Sequence, residues 1–194
     1  MPALTNPCNT AVIKKIFRQP QAIQWNIVDK ETVDEIIFRT MNTQNRLMLE
    51  LMARGGKRVG EVLNLTPADI QERTLAIQNP KSGRVGEIVY VPQKFLVRLN
   101  DYIKVNNLSM KDRIFPIFYV AAWTMAKKVG KLVNIELRPH DLRRYAATYA
   151  SRSGTPIEIV SKVILRHSDL STTQRYLGKV NDSVAIRWIE TLYG

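Results

Sequence analysis

The segment LRPHDLRRYAATYA, from Leu137 to Ala150, fixes the position of one helix within this 194-residue chain. A proline suits the first turn of a helix because its nitrogen carries no proton to donate, so Pro139 marks the start. His140 and Arg143 are three positions apart, which places them on one face of that helix. The segment therefore predicts a helix with an imidazole and a guanidinium on the same side. Alone, the pair also fits a helix-start histidine that bonds to nearby backbone.

The balance of charge indicates the class of partner. The chain contains 29 Lys and Arg residues against 17 Asp and Glu residues, a formal net charge of +12. Such an excess favours a polyanion, and nucleic acid is the commonest one in cells. A ribosomal or merely soluble basic protein is the alternative on charge alone. The basic residues occur in clusters, which together suggest one charged concavity.

Other classes of protein are disfavoured by what the sequence lacks. No apolar run approaches the roughly 18 residues of a membrane span, and no secretory signal is present, so no membrane partner is expected. Cys8 is the only cysteine, which excludes an internal disulfide and fits a reducing intracellular setting. No P-loop motif and no carboxylate cluster accompanies the motifs below, so we predict neither a cofactor nor a metal site.

The remaining patterns predict a mostly α-helical protein with a small antiparallel β-hairpin or three-stranded sheet. The segments TLAIQ (74–78) and EIVYVP (87–92) flank a turn that is rich in proline and glycine. Thr32 and Glu35 have capping-box spacing, which predicts a helix start there. PIEIVSKVIL is predicted to form one helix that ends at Arg166, followed by a short helix in STTQRYL.

The ends of the chain differ from its middle. Residues 1–28 contain three prolines and no clear period, so we interpret them as an arm or linker, followed by the main domain at 29–179. Residues 180–194 carry an apolar stripe at helical spacing. Its members are Val180, Val184, Trp188, Ile189 and Leu192. This terminal helix either packs on its own domain or docks on a neighbouring protomer.

Four segments follow one another along the chain: ARGGKRVGEVLNL (53–65), PKSGR (80–84), RPHDLRRYAATYA (138–150) and LRHSDLSTTQRYLG (165–178). This series resembles the catalytic domain of the tyrosine recombinases, the phage-integrase family, over about residues 30 to 180. The resemblance implies the catalytic-domain fold of that family, with residues 29–179 as the catalytic domain. It also implies cleavage and rejoining of double-stranded DNA through a 3′-phosphotyrosyl intermediate, without metal or ATP.

The resemblance assigns roles to individual residues. The implied catalytic residues are Arg58, Lys81, His140, Arg143, His167 and Tyr176. Glu61 either fixes the rotamer of Arg58 or forms a plain ion pair on the helix surface. Arg166 departs from the family pattern where glycine is common, and Arg144 departs where histidine is frequent. Contacts with DNA phosphates are expected from Lys57, Arg144, Arg166 and Arg175.

These residue types suit the attack of a tyrosine on a phosphodiester. The guanidiniums of Arg58 and Arg143 can fork hydrogen bonds to the non-bridging oxygens, where charge grows in the transition state. Tyr176 needs a base, because the pKa of a free tyrosine is about 10, and His140 is the candidate. His167 would donate a hydrogen bond to the phosphate. The lysine of the hairpin turn, crowded by arginines, would protonate the leaving 5′-oxygen.

We therefore predict a DNA strand transferase of the recombinase or integrase kind. The alternatives are a type IB topoisomerase-like enzyme, which relaxes DNA with the same chemistry, and a DNA-binding regulator that has lost catalysis. The resemblance further implies self-association on DNA as a tetramer, and a cytoplasmic, nucleoid location in a prokaryote with phage or mobile-element origin. Residues 1–28 are too few for the family's N-terminal clamp domain. The chain is thus either a catalytic fragment or a short single-domain member with salt-sensitive DNA binding.

Overall fold

A computed structural model describes the greater part of the chain. The described ranges are residues 28–78, 87–177, 186 and 189–192. Cys8, Lys81 and nearly all of the predicted arm lie outside these ranges, and so do the side chains of Arg175 and Tyr176. None of the helices in the described ranges is both long enough and apolar enough to cross a membrane.

The described residues are mostly helical with one small sheet, which confirms the predicted fold class. The helices are α1 (Lys30–Arg39), α2 (Thr43–Ala53), α3 (Val59–Leu63), α4 (Gln93–Val105), α5 (Tyr119–Lys131), α6 (Pro139–Arg152), α7 (Ile157–Ile159) and α8 (Leu170–Leu177). The strands are β1 (Ile70–Gln71), β2 (Thr74–Ala76) and β3 (Ile88–Tyr90), and a 3₁₀ turn at Pro67–Asp69 precedes them. The helix predicted from Pro139 begins at that residue.

Helix α1 begins earlier than the capping-box pattern predicted. Its N-cap is Asp29, whose Oδ1 accepts a hydrogen bond from the backbone N–H of Thr32 at 2.6 Å. An aspartate is a better N-cap than a threonine, so the helix starts at Lys30 and includes Thr32 in its first turn. That hydrogen bond also holds the pKa of Asp29 below its ordinary value.

The core is built around α2, which packs against α1, α3, α4 and α6. All of its residues from Leu47 to Ala53 are buried. One of them is charged: Glu50 accepts two hydrogen bonds from Arg98 of α4, at 2.7 and 2.5 Å. Leu142 and Tyr145 of α6 belong to the same apolar core. The packing of α2 on α6 brings the loop after α2 close to the start of α6.

The sheet has the strand order β1-β2-β3 and is antiparallel throughout. Leu75 pairs with Ile70 on one side and with Val89 on the other. Leu75 and Val89 are buried while Tyr90 is exposed, so one face of the sheet packs on the helices and the other meets solvent. The three-stranded form of the prediction is confirmed. The turn between β2 and β3 falls in residues 79–86, outside the described ranges.

The helix predicted to run up to Arg166 is interrupted. Helix α7 spans only Ile157–Ile159 and continues as a wider π-helical turn, Val160–Ile164. In that turn the N–H of Leu165 bonds to the carbonyl of Val160 at 2.9 Å. Arg166 then adopts a φ of 51°, the left-handed conformation that commonly ends helices. The turn packs against α6.

Part of the predicted terminal helix is described. Residues 186 and 189–192 are helical, and the apolar side chains among them are exposed. These are Ile186, Ile189 and Leu192. Val180, Val184 and Trp188 lie outside the described residues. Docking of this segment on a neighbouring protomer therefore stays a prediction.

Candidate active site

An open cleft of about 320 Å³ lies between the loop after α2 and the start of α6. Arg58, His140 and Arg143, predicted to act together although they are far apart in the chain, all line it. Lys57 and Glu61 line it as well. The remaining lining residues are Val59, Gly60, Asn64, Gln78, Tyr119 and Pro139. The fold therefore brings three of the predicted catalytic residues into one cleft.

Arg143 connects the segments that form the cleft. Its guanidinium is buried, with Nη1 donating to the carbonyl of Gly56 and Nη2 to the carbonyl of Leu165. Gly56 has a φ of 59°, and a Cβ at this position would lie 2.7 Å from Cγ2 of Ile164, so a side chain there is excluded. Two backbone segments thus hold Arg143 in one orientation. A donor fixed in this way is preorganised for an anion.

Glu61 orients Arg58. Nη1 of Arg58 donates to Oε1 of Glu61 at 2.7 Å, and the backbone N–H of Arg58 donates to Oε2 at 2.9 Å, which caps α3. Glu61 is buried, so this is not the plain surface ion pair that the sequence left open. Burial acts to raise the pKa of Glu61, but the charge of Arg166 and the hydrogen bonds from Arg58 outweigh it and keep that pKa below its ordinary value. An ionised Glu61 therefore holds Arg58 at the cleft wall.

Arg166, for which a phosphate contact is predicted, is buried and links two carboxylates. Its positive φ is one that glycine, common here in the family pattern, adopts without strain. Its buried side chain donates to Oε2 of Glu61 at 2.5 Å and to Oε2 of Glu87 at 3.3 Å. These two ion pairs compensate for the strained backbone. They also tie the loop before His167 to α3 and to the start of β3.

The imidazole of His167 is held by a chain of hydroxyl groups. Its Nδ1 lies 2.9 Å from Oγ1 of Thr173, which donates to Oγ of Ser161 at 2.9 Å. Burial first, and then the charges of Arg143 and Arg58, lower the pKa of His167 to about 4. The ring of His167 is therefore neutral at neutral pH in the protein without DNA. Sequence reasoning missed both hydroxyl residues, because serine and threonine are common in caps and turns and their spacing gives no further signal.

His140 lies at the cleft with an exposed side chain. Desolvation by the cleft walls, followed by the charges of Arg143 and Arg144, lowers the pKa of His140. A neutral imidazole can accept a proton, as a general base must. Arg144, for which a phosphate contact is predicted, is buried, with Nη1 3.8 Å from Oδ1 of Asp141.

The remaining predicted residues differ in how much of their structure is described. Lys57, a predicted phosphate contact, lines the cleft although its side chain is buried. Tyr176 lies in the last turn of α8, a helix that packs against α6. The side chains of Tyr176 and Arg175, and the whole of Lys81, fall outside the described residues. In the described ranges no group of His, Cys, Asp and Glu residues is arranged to hold a metal ion.

Comparison with known proteins settles the family. The sequence model of the phage integrase family matches residues 27–182. The chain belongs to the phage integrase family. Its relatives include the tyrosine recombinase XerA of Saccharolobus solfataricus, 28% identical over 167 residues. The tyrosine recombinase XerD of Halalkalibacterium halodurans is 31% identical over 146 residues.

Coverage and structure refine this assignment. The XerA match covers 85% of this chain and 56% of the relative, and the XerD match covers 69% and 48%. The chain thus spans about half the length of these relatives. A crystal structure of XerA recombinase superimposes with a TM-score of 0.74 at 22% identity, covering 91% of this chain and 66% of that one. The catalytic domain of bacteriophage HP1 integrase gives 0.63 at 18% identity, with 86% and 96% covered. The predicted catalytic-domain fold is confirmed.

Proposed function

We propose that this phage integrase family member is the catalytic part of a site-specific DNA recombinase, with its catalytic unit in residues 29–179. The convergence of Arg58, His140 and Arg143 on one cleft carries the proposal. Two guanidiniums whose orientations are fixed by buried partners suit the oxygens of a phosphodiester. The names of the XerA and XerD relatives, both tyrosine recombinases, support the same activity.

In the proposed reaction, the scissile phosphate enters the cleft beside Arg58 and Arg143. Both stabilise the charge that grows on its non-bridging oxygens. The oxygen of Tyr176 attacks phosphorus and passes its proton to His140, while the bond from phosphorus to the 5′-oxygen breaks. Lys81 gives a proton to that leaving oxygen. A 5′-hydroxyl can later reverse the attack, because the phosphotyrosyl link retains the energy of the broken bond, so the reaction needs neither metal nor ATP.

Double-stranded DNA is the proposed substrate, and the net charge of +12 supports binding to its phosphates. Among solved relatives is a XerH site-specific recombinase bound to its palindromic difH substrate. His167 is proposed to donate a hydrogen bond from Nε2 to the phosphate, with the ring protonated in the complex because Thr173 already holds the proton at Nδ1. The exposed Ile186, Ile189 and Leu192 support self-association on DNA, with a tetramer as the working form. Such an enzyme would act at the nucleoid in the cytoplasm of a prokaryotic cell. Its gene is proposed to come from a phage or another mobile element.

A nicked suicide duplex tests the nucleophile. Candidate sites come from the genomic neighbourhood of the gene, and denaturing gels detect the covalent adduct. The wild type is expected to form an adduct and Tyr176→Phe to form none. Tyr149→Phe is the matched control, because Tyr149 is an exposed tyrosine of α6 that does not line the cleft. An adduct that persists in Tyr176→Phe, or none from the wild type on any candidate site, contradicts the proposal.

A further inference from the structure

Lys57 is the cleft residue whose placement the proposed reaction leaves unexplained. Its side chain has 0% exposure, although it belongs to the wall that also contains Arg58, His140 and Arg143. Among the residues that the structure describes, its Nζ has no hydrogen-bond partner. A buried ammonium without a partner is strongly unfavourable. The placement is therefore stable only if the amine is neutral in the empty cleft.

The two acidic side chains that act on the charge of Lys57 also pair with arginines. Glu61 accepts hydrogen bonds from Arg58 at 2.7 Å and from Arg166 at 2.5 Å. Glu87 accepts from Arg166 at 3.3 Å. Neither carboxylate accepts a hydrogen bond from Nζ of Lys57.

The surroundings favour the neutral form of the amine. Burial has the largest effect on the pKa of Lys57, and the charges of Arg166 and Arg143 act in the same direction. Glu61 and Glu87 oppose them, and the net result lowers that pKa to about 6. At neutral pH, the empty cleft therefore holds an uncharged amine next to fixed guanidiniums.

We propose that Lys57 is a further phosphate-binding residue, neutral in the empty cleft, which takes up one proton from solvent when a DNA phosphate enters. The inference rests on the proposed function, because its ligand is the scissile phosphodiester. The phosphate brings a negative charge, which favours the ammonium and returns the pKa of Lys57 toward its ordinary 10.5. The ammonium then donates a charge-assisted hydrogen bond to a phosphate oxygen.

Delayed charging has an advantage over a third permanent cation. A fixed charge near Arg58, Arg143 and Arg166 would repel all three and weaken the empty site. Proton uptake supplies the charge only in the complex with DNA, where it is balanced. The role differs from that proposed for Lys81, which gives its proton away to the leaving oxygen, whereas Lys57 keeps the proton and binds.

Lysine NMR measures the charge of this amine directly. The full chain is labelled with ¹³C at the lysine Cε positions, and Lys57→Met identifies the resonance of Lys57. In the free protein, Lys57 is expected to titrate at about pH 6. With a saturating short duplex oligonucleotide, it is expected to be protonated at about pH 8, where histidines are neutral. Titration of Lys57 near pH 10.5 in the free protein overturns the proposal. So does an amine that is still neutral at about pH 8 with DNA bound.

Lys57→Met also separates a binding role from a structural one. Methionine replaces the aliphatic stem without a charge, so thermal unfolding should show equal or greater stability. Adduct formation on the nicked duplex should fall about tenfold or more. Calorimetry in buffers of different ionisation enthalpy measures the number of protons taken up on DNA binding. This number should be lower by about one in Lys57→Met than in the wild type.

Lys104→Met, the same substitution at an exposed position of α4, is the matched control. It should change neither adduct formation nor proton uptake. Adduct formation and proton uptake that are both unchanged in Lys57→Met overturn the inference. If the wild type forms no adduct, the proposed function fails. The NMR titration still decides the charge of Lys57 in that case, so the two failures are distinguishable.

Discussion

Replacing Arg166 by alanine and by glycine separates the cost of its backbone conformation from the contribution of its ion pairs. Both changes remove the hydrogen bonds to Glu61 and Glu87. Loss of one partner of a buried ion pair costs about 3–5 kcal/mol, and we expect the lower end because Glu61 keeps Arg58. Alanine at a φ of 51° keeps the ~1–2 kcal/mol of strain that arginine already pays there, whereas glycine avoids it. Glycine in turn destabilises the folded state by ~0.5–1 kcal/mol, because it increases the entropy of the unfolded chain.

The expected order of the free energy of unfolding is therefore wild type, then Arg166→Gly, then Arg166→Ala. The two variants should differ by about 0.5–1 kcal/mol. Urea unfolding followed by circular dichroism measures all three, with Arg113→Ala as a control at an exposed loop position that should stay within about 0.5 kcal/mol of the wild type. The reasoning is refuted if Arg166→Ala is as stable as Arg166→Gly, or if both match the wild type.

Further predictions concern the same region. Gly56→Ala should destabilise the fold by more than ~1 kcal/mol in thermal unfolding. Gly60→Ala should be neutral or stabilising, because a Cβ built at Gly60 has nothing within 4 Å. Equal effects of the two variants would contradict the clash between a Cβ at position 56 and Ile164. The pKa of His167 is lowered from 6.5 to about 4, so its neutral form stabilises the fold fully above pH 6.5, and that contribution is lost as pH falls toward 4. His167→Gln should flatten this part of the stability profile, and an unchanged slope would show that the ring is not desolvated. Thr173→Val removes the hydroxyl beside Nδ1 and should reduce DNA cleavage while the unfolding free energy falls by ~1 kcal/mol; full cleavage would exclude a positioning role for Thr173.

Local signals were sufficient for much of the fold. Pro139 fixed the start of α6, and the proline- and glycine-rich turn between two strand-like segments indicated the sheet. The order of the motifs placed Arg58, His140 and Arg143 in one site, and the cleft contains all three. Each of these signals lies within a few residues of what it predicts, or in a pattern that the whole family shares.

Long-range contacts were beyond such signals. The pairing of Arg166 with Glu61 joins residues that are 105 positions apart, and only the folded chain shows that a buried carboxylate holds Arg166. The burial of Lys57 has the same origin, because nothing in GGKRVGE distinguishes an enclosed lysine from an exposed one. The π turn at Val160–Ile164 also escaped prediction, since its apolar spacing resembles that of a regular helix.

The two backbone hydrogen bonds of Arg143 bear on when the proposed active site is assembled. The carbonyls that hold its guanidinium come from Gly56 and Leu165, one early in synthesis and one late. In a nascent chain that ends before Leu165, the second carbonyl is missing, so the guanidinium of Arg143 is not held in one orientation. The guanidinium of Arg143 is therefore fixed only after both segments have folded against α6.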